Sequence, residues 1–256
     1  MKKKKDYRVI LKRVLGGTVL LCTIMTFNGC SQEIESHEVP IQELEQVDKH
    51  DDKFGILVNK QHGISQAQMK GIDLVKTKDI EGNDVYLQRD ALNAFNALRE
   101  HLDSKGYKIG INTGFRTYSE QEAIYNELLS KHGKEYADEY VAPVGYSEHH
   151  TGLAIDVYMD RTFVFNKQIP LDINPKYLAT RNAMYKTMAE YGFILRYPEG
   201  KEKTTGYPSE EWHIRYVGKE LATFLTEKNL TLEEYYNILY QYKNGAVNES
   251  DEMGIQ

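Results

Sequence analysis

Ser147-Glu148-His149-His150-Thr151-Gly152-Leu153-Ala154-Ile155-Asp156 sets an imidazole in a turn and a carboxylate in the apolar strand that follows. Gly152 makes the turn inexpensive, because a residue without Cβ enters left-handed backbone freely. The alternation over residues 153–159 is that of a half-buried strand. Further along, Glu210-Glu211-Trp212-His213 places another imidazole and more carboxylates beside an aromatic wall. Two imidazoles and one carboxylate make a standard catalytic zinc set, with the fourth position left for water. Upstream, Gly114-Phe115-Arg116-Thr117-Tyr118-Ser119-Glu120-Gln121 puts a guanidinium and an amide at a strand end and helix start, where a carboxylate or a developing oxyanion is clamped. Taken singly each group has a plainer reading: a solvated His, a turn-forming Asp, a core Trp.

Outward from these segments the pattern is alternating helix and strand. A short strand is expected over residues 55–59. A helix is expected over residues 89–104, with Leu92, Phe95, Leu98 and Leu102 on one face, Asp90 favouring its N-terminal end and Gly106 as its stop. A strand at 107–112 follows, then a helix at 119–130 in which Ser119 and Glu122 form a capping box. The rest reads as a strand at 153–159, a helix at 176–191 closed by Gly192, strands at 193–197 and 212–217, and helices at 219–226 and 232–242. No internal repeat and no parallel βαβ series with a glycine-rich phosphate loop is present. The fold class is therefore α+β, a small, largely antiparallel sheet with flanking helices.

Composition narrows the function classes. With 41% hydrophobic and 27% charged residues the chain is of ordinary globular type, and six prolines with 19 glycines exclude low complexity. Residues 1–29 carry seven Lys/Arg against one Asp, which leaves the remainder at −12 of the overall −6. An acidic body repels phosphate backbones, so nucleic acid is excluded as a partner. A monomer is expected.

The first 29 residues read as an export signal: Lys2 to Lys5, Arg8, Lys12 and Arg13, followed by the apolar run from Val14 to Phe27. The run ends at Phe27-Asn28-Gly29-Cys30-Ser31, which resembles a bacterial lipoprotein cleavage box and makes Cys30 the expected lipidation site; an uncleaved N-terminal anchor is the alternative. Cys22 lies inside the apolar run, so the mature domain has no internal disulfide. The protein is accordingly expected outside the cytoplasm, attached to the membrane. Residues 30–53 are acidic and poor in large apolar residues, which reads as a spacer, although Ile41, Leu44 and Val47 fall at helical spacing and give a short surface helix as the alternative. The main domain is expected over residues 54–243, with a polar tail at 244–256.

The motifs match a known pattern in order and spacing. S-x-H-x-x-G-x-A-x-D, here Ser147 to Asp156, and E-x-W-H, here Glu210 to His213, resemble the zinc D-alanyl-D-alanine carboxypeptidases of the VanY group, within the wider lysostaphin, D-Ala-D-Ala peptidase and hedgehog metal fold. The flanks Tyr191-Gly192-Phe193-Ile194-Leu195-Arg196-Tyr197-Pro198 and His213-Ile214-Arg215-Tyr216-Val217-Gly218 are similar as well, and the likeness runs from about Phe54 to Tyr242. By that resemblance His149, Asp156 and His213 are the zinc ligands and Glu210 the catalytic base. Arg116 stabilises the oxyanion or orients the peptide, and Gln121 and Ser147 hydrogen-bond the terminal residue of a peptidoglycan stem peptide. Glu211 stands where Pro is common in the group, so two adjacent carboxylates compete as base, and the spacing to His213 favours Glu210. His150 stands where relatives carry an amide and is expected behind the site or exposed.

Other mechanisms are testable on the sequence itself. None of the nine serines is followed three residues later by Lys, so the Ser-x-x-Lys nucleophile is absent, as is His-Glu-x-x-His. No cysteine nucleophile remains. An L,D-carboxypeptidase acting on tetrapeptide stems shares the same metal motifs, and a non-catalytic zinc-containing binding module is the alternative outside enzymes.

Overall fold

The computed structural model describes residues 18–19, 39–48, 54–159 and 175–252. Cys30, most of the expected signal and residues 253–256 lie outside them. The chain divides into two units, residues 1–49 with 235–256, and residues 50–234.

In the first unit β1 (Thr18–Val19) pairs antiparallel with β2 (Val39–Pro40), which leads into α1 (Ile41–Asp48). Of the two readings of the acidic stretch, the helix therefore describes its centre. Its apolar spacing has a use: Val39, Leu44 and Val47 are buried. Glu45 accepts from Tyr242 and Asp48 from Lys243, at 3.0 Å for the latter.

The second unit opens with α2 (Gln66–Met69), then a hairpin of β3 (Leu74–Lys78) and β4 (Asp84–Gln88), α3 (Arg89–Ser104) and β5 (Ile109–Thr113). There follow α4 (Tyr118–His132), α5 (Lys134–Tyr140), the single turn Glu148–Thr151, β6 (Ala154–Met159), α6 (Pro175–Thr187), β7 (Phe193–Tyr197), α7 (Glu202–Thr205), β8 (Glu210–Tyr216) and α8 (Lys219–Glu227). The last described helix, α9, spans Leu232–Glu252 and runs ten residues beyond the expected end. The main sheet has the order β5-β6-β8-β7 with every pairing antiparallel, as the α+β reading expects.

Alternation gives this sheet two unlike faces. Ile109, Ile111, Ile155, Val157, Met159, Phe193 and Ile214 point one way and join Phe95, Leu98 and Leu102 of α3 and Tyr177 and Met184 of α6 in one buried cluster. The intervening residues Asp156, His213, Arg215 and Arg196 therefore point the other way. The apolar face anchors the sheet, and the polar face carries the chemistry.

Four local expectations change. Residues 55–59 form no strand, because the carbonyls of Phe54 and Ile56 are taken by the Arg215 guanidinium at 2.9 and 2.8 Å instead of by a neighbouring strand. The β3–β4 hairpin was not anticipated, since Lys76, Lys78 and Asp84 interrupt its apolar alternation and pair with each other across the strands. The capping box of α4 is Thr117 with Glu120 rather than Ser119 with Glu122: the Thr117 Oγ accepts the Glu120 N–H at 3.3 Å and the Glu120 carboxylate accepts the Thr117 N–H at 2.7 Å. The helix α5 was also not anticipated, because Ala137 is its one buried residue and it has no apolar stripe to read.

Candidate metal centre

Asp156 and His213 are direct cross-strand partners in β6 and β8, so register alone brings a carboxylate and an imidazole together on the polar face. Asp156 Oδ1 lies 3.2 Å from His213 Nδ1. His149 arrives from the turn before β6, with Nε2 3.4 Å from Asp156 Oδ2. Two residues shape that turn: Ser147 accepts the His149 N–H at 3.3 Å, and Gly152 sits at φ +69°, where an added Cβ would lie 2.7 Å from Leu74 Cδ2. The unanticipated hairpin buttresses it, Gln88 donating from its backbone to the Gly152 carbonyl and from its amide to that of Thr151, both at 2.8 Å.

One ligand atom from each of His149, Asp156 and His213 lies within 4.8 Å of the others. The remaining ring nitrogens are engaged: His149 Nδ1 with the Gly114 carbonyl at 2.8 Å and His213 Nε2 with Glu148 Oε2 at 3.3 Å. With protons on those two nitrogens, the lone pairs of His149 Nε2 and His213 Nδ1 face Asp156. Asp156 Oδ1 is buried yet makes no hydrogen bond. A buried carboxylate oxygen without a donor is costly unless a cation completes it. Two imidazole nitrogens and a carboxylate oxygen are the donors a catalytic zinc takes, so the residues present fit the ion.

Glu210 stands beside this group, Oε2 3.5 Å from His213 Nδ1. Three residues apart on a regular strand, Glu210 and His213 would face opposite sides of the sheet. The pairing is irregular here, Leu195 opposite Ile214 but Tyr197 opposite Glu210, so β8 uses four residues where β7 uses two. The irregularity turns Glu210 into the cleft. Glu211 turns to α6 instead, accepting from Tyr177 at 2.9 Å and from Arg181.

The cleft measures about 440 Å³ and is lined by Arg116, Gln121, Ser147, Glu210 and the three candidate ligands, with Tyr136, Tyr140, Tyr197 and Trp212 among its walls. Gln121 is 1% exposed, and its amide oxygen accepts from Arg116 Nη1 at 2.8 Å while its nitrogen donates to the Ala142 carbonyl at 2.6 Å. The Arg116 guanidinium is thereby aimed by Gln121, and its backbone is fixed by His150, whose Nδ1 meets the Arg116 carbonyl at 2.7 Å. His150 is fully buried against Tyr118, so of the two placements expected for it, the one behind the site describes it.

Charge inside the site is far from that of free side chains. Burial pushes the Glu210 carboxyl up to about 7, against the pull of His213 and with a further push from Asp156. Burial acts to lower His213, but the carboxylates of Asp156 and Glu148 beside it more than offset this and raise the ring to about 9 in the metal-free protein. Burial disfavours ionised Asp156 too, yet His149 and His213 hold it well below the ordinary carboxylate range.

The sequence reading gave no role to Glu148, Arg196 and Arg215, whose side chains are wholly buried as one ionic cluster behind His213. Alternation in β7 and β8 puts Arg196 and Arg215 on the polar face, but Glu148 lies in the turn before β6 and no periodicity ties it to them.

The sequence profile of the VanY D-alanyl-D-alanine carboxypeptidase family matches residues 84–219. The chain belongs to this family. A putative carboxypeptidase, YodJ, of Bacillus subtilis is 35% identical over 70% of this chain and 66% of its own length. The bifunctional D-Ala-D-Ala dipeptidase and carboxypeptidase VanXYC of Enterococcus gallinarum is 36% identical over 72% of this chain and 94% of its own. The chain thus spans just under two thirds of the first relative and nearly all of the second. Among solved structures, a VanY D,D-pentapeptidase in complex with Zn(II) is 28% identical, covering 71% of this chain and 98% of that one at a TM-score of 0.59. The LdcB LD-carboxypeptidase is 29% identical, covering 80% and 92% at 0.61.

Proposed function

We propose that this VanY-family chain is a zinc-dependent D,D-carboxypeptidase that removes the C-terminal D-Ala from peptidoglycan stem peptides. The observation that carries the reading is the Asp156 carboxylate, whose buried Oδ1 has no hydrogen bond and whose two oxygens face one ring nitrogen each of His213 and His149, with Glu210 beside it in an open cleft. A relative in Enterococcus faecium named D-alanyl-D-alanine carboxypeptidase and the structure of VanYB in complex with D-Alanine-D-Alanine support the substrate.

His149 Nε2, Asp156 and His213 Nδ1 would hold the ion. When bound there, zinc supplies a Lewis acid that polarises the scissile carbonyl and lets a water ionise near pH 7. Glu210 takes the proton of the attacking water on its carboxylate and passes it to the leaving amine of D-Ala, a role that its raised pKa suits in both directions. Arg116, aimed by Gln121, faces the charge that develops on the carbonyl oxygen or the terminal carboxylate. Ser147 borders the same cleft and orders the turn that carries His149. Nothing in this scheme presents a serine for β-lactams to acylate. Resemblance to LdcB over four fifths of the chain gives L,D-carboxypeptidase activity on tetrapeptide stems as the second reading. Product analysis on pentapeptide and tetrapeptide stems, with and without penicillin and a chelator, decides: free D-Ala from the pentapeptide, blocked by the chelator alone, is expected. Cleavage of the tetrapeptide only moves the assignment to the second reading, and zinc binding without turnover of either favours the binding module.

We further propose that Cys30 is lipidated and tethers a monomeric domain outside the cytoplasm. The basic and apolar layout of residues 1–29 and the position of Cys30 support this. No helix among the described residues is long and apolar enough to cross a membrane. Mass spectrometry of the mature N-terminus tests it; an intact chain still beginning at Met1 establishes a signal anchor instead.

A further inference from the structure

We infer that Glu148 is a positioning residue for the metal centre: its carboxylate fixes His213 with Nδ1, not Nε2, turned to the ligand group. The inference rests on the zinc reading above and assigns a task to a residue that reading does not use. Strand pairing fixes the His213 backbone opposite Asp156, but a half-turn of the ring about its last torsion would put the Cδ2 carbon where Nδ1 faces the ligand group and Cε1 where Nε2 faces Glu148. Something must choose between these orientations. The Glu148 oxygens divide the work. Oε1 accepts from Arg196 Nε at 2.7 Å and from Arg215 Nη1 at 2.8 Å, which leaves Oε2 for His213 Nε2 at 3.3 Å.

The two arginines are themselves immobilised. Arg196 reaches Glu233 with both terminal nitrogens, at 2.9 and 2.5 Å, and Arg215 Nη2 is held by the carbonyls of Phe54 and Ile56. A buried ion cluster contributes little net stability, since desolvation offsets the attraction. What it supplies here is an acceptor that neither moves nor loses its charge. An acceptor so placed admits one ring orientation, the one in which Nε2 carries a proton toward Glu148 and Nδ1 presents its lone pair to the metal.

Glu148→Gln makes the claim testable. The amide oxygen stays with the two guanidinium groups, so the NH2 group faces His213 Nε2 and favours a ring with its proton on Nδ1. Zinc affinity, measured by chelator competition, is expected to fall ~10- to 100-fold. Glu233→Gln is the control, since it removes a charge from the same cluster without touching His213; it is expected to lower melting temperature while leaving zinc affinity unchanged. The direct readout is nitrogen-15 NMR of cadmium-113-loaded protein with labelled histidine. Coupling to cadmium is expected at His213 Nδ1 and His149 Nε2 in the wild type, with the His213 coupling alone weakened in Glu148→Gln. Coupling through His213 Nε2 in the wild type, wild-type zinc affinity in Glu148→Gln, or an equal loss in Glu233→Gln overturns the inference. Should Glu148→Gln fail to fold, the wild-type coupling pattern decides by itself. No metal at either histidine would overturn the zinc reading as well, so the two failures are distinguishable.

Discussion

The two imidazoles that face Asp156 are steadied from behind in opposite ways. His149 leans on the backbone carbonyl of Gly114, a neutral acceptor brought close because Gly114 has no side chain: an added Cβ would lie 2.7 Å from the Tyr86 carbonyl oxygen. His213 leans on a carboxylate buried between two arginines. One side of the centre is set by close backbone approach, the other by charge. The first should fail to steric change and ignore charge, and the second the reverse.

Removing both ligands is the largest disruption available. His149→Ala with His213→Ala should reduce bound zinc, measured by elemental analysis, from one ion per chain to none and abolish turnover; an ion that persists in the double variant contradicts the ligand set. The next effect separates neighbours. Glu210→Ala should lower kcat ~10²- to 10⁴-fold with zinc and fold retained. Glu211→Ala should be far milder, since its carboxylate serves Tyr177 and Arg181 on α6. Steady-state kinetics beside zinc stoichiometry checks both, and an active Glu210 variant with a dead Glu211 variant reverses the assignment.

Gly114→Ala breaks the steric side alone. It should weaken zinc ~10- to 100-fold by displacing the carbonyl that orients His149, with the His213 side unaltered; wild-type affinity in this variant would mean the close approach is immaterial. The smallest effect belongs to the charged side. In the metal-free protein His213 is raised to about 9, so at pH 7 its ring carries a proton that the ion must displace. Zinc uptake should release about one proton from it, and affinity should fall as pH drops below 9. The same sign governs the metal-free fold: the ionic contacts of His213 are fully present below its ordinary value of 6.5 and are lost as pH rises through about 9. Calorimetry in buffers of different ionisation enthalpy measures the proton, and none released contradicts the charged setting of His213.

How much of this was legible depended on whether the determining contacts are local. His149 and Asp156 share one turn and strand, and the helices with a clear apolar stripe, such as α3, read directly. The partnership of Glu210 with His213 was legible only through family likeness, since strict alternation in β8 places them on opposite faces and the register change that unites them comes from β7. Glu148 is called into place by Arg196 and Arg215, 48 and 67 residues away, and pairing at such separation leaves no periodic trace. The hairpin that braces the His149 turn was hidden for a related reason: its strands are polar along much of their length, and its value lies in Gln88 reaching Gly152.

The three-residue zinc site is tested most directly by a crystal structure of the zinc-loaded Glu210→Ala protein, with the ion located by its anomalous signal. One zinc bound by His149 Nε2, an Asp156 carboxylate oxygen and His213 Nδ1 is expected, with the cleft otherwise unchanged. An ion bound elsewhere, or none once Glu210 is gone, would contradict it by making Glu210 a ligand or the three-residue set accidental.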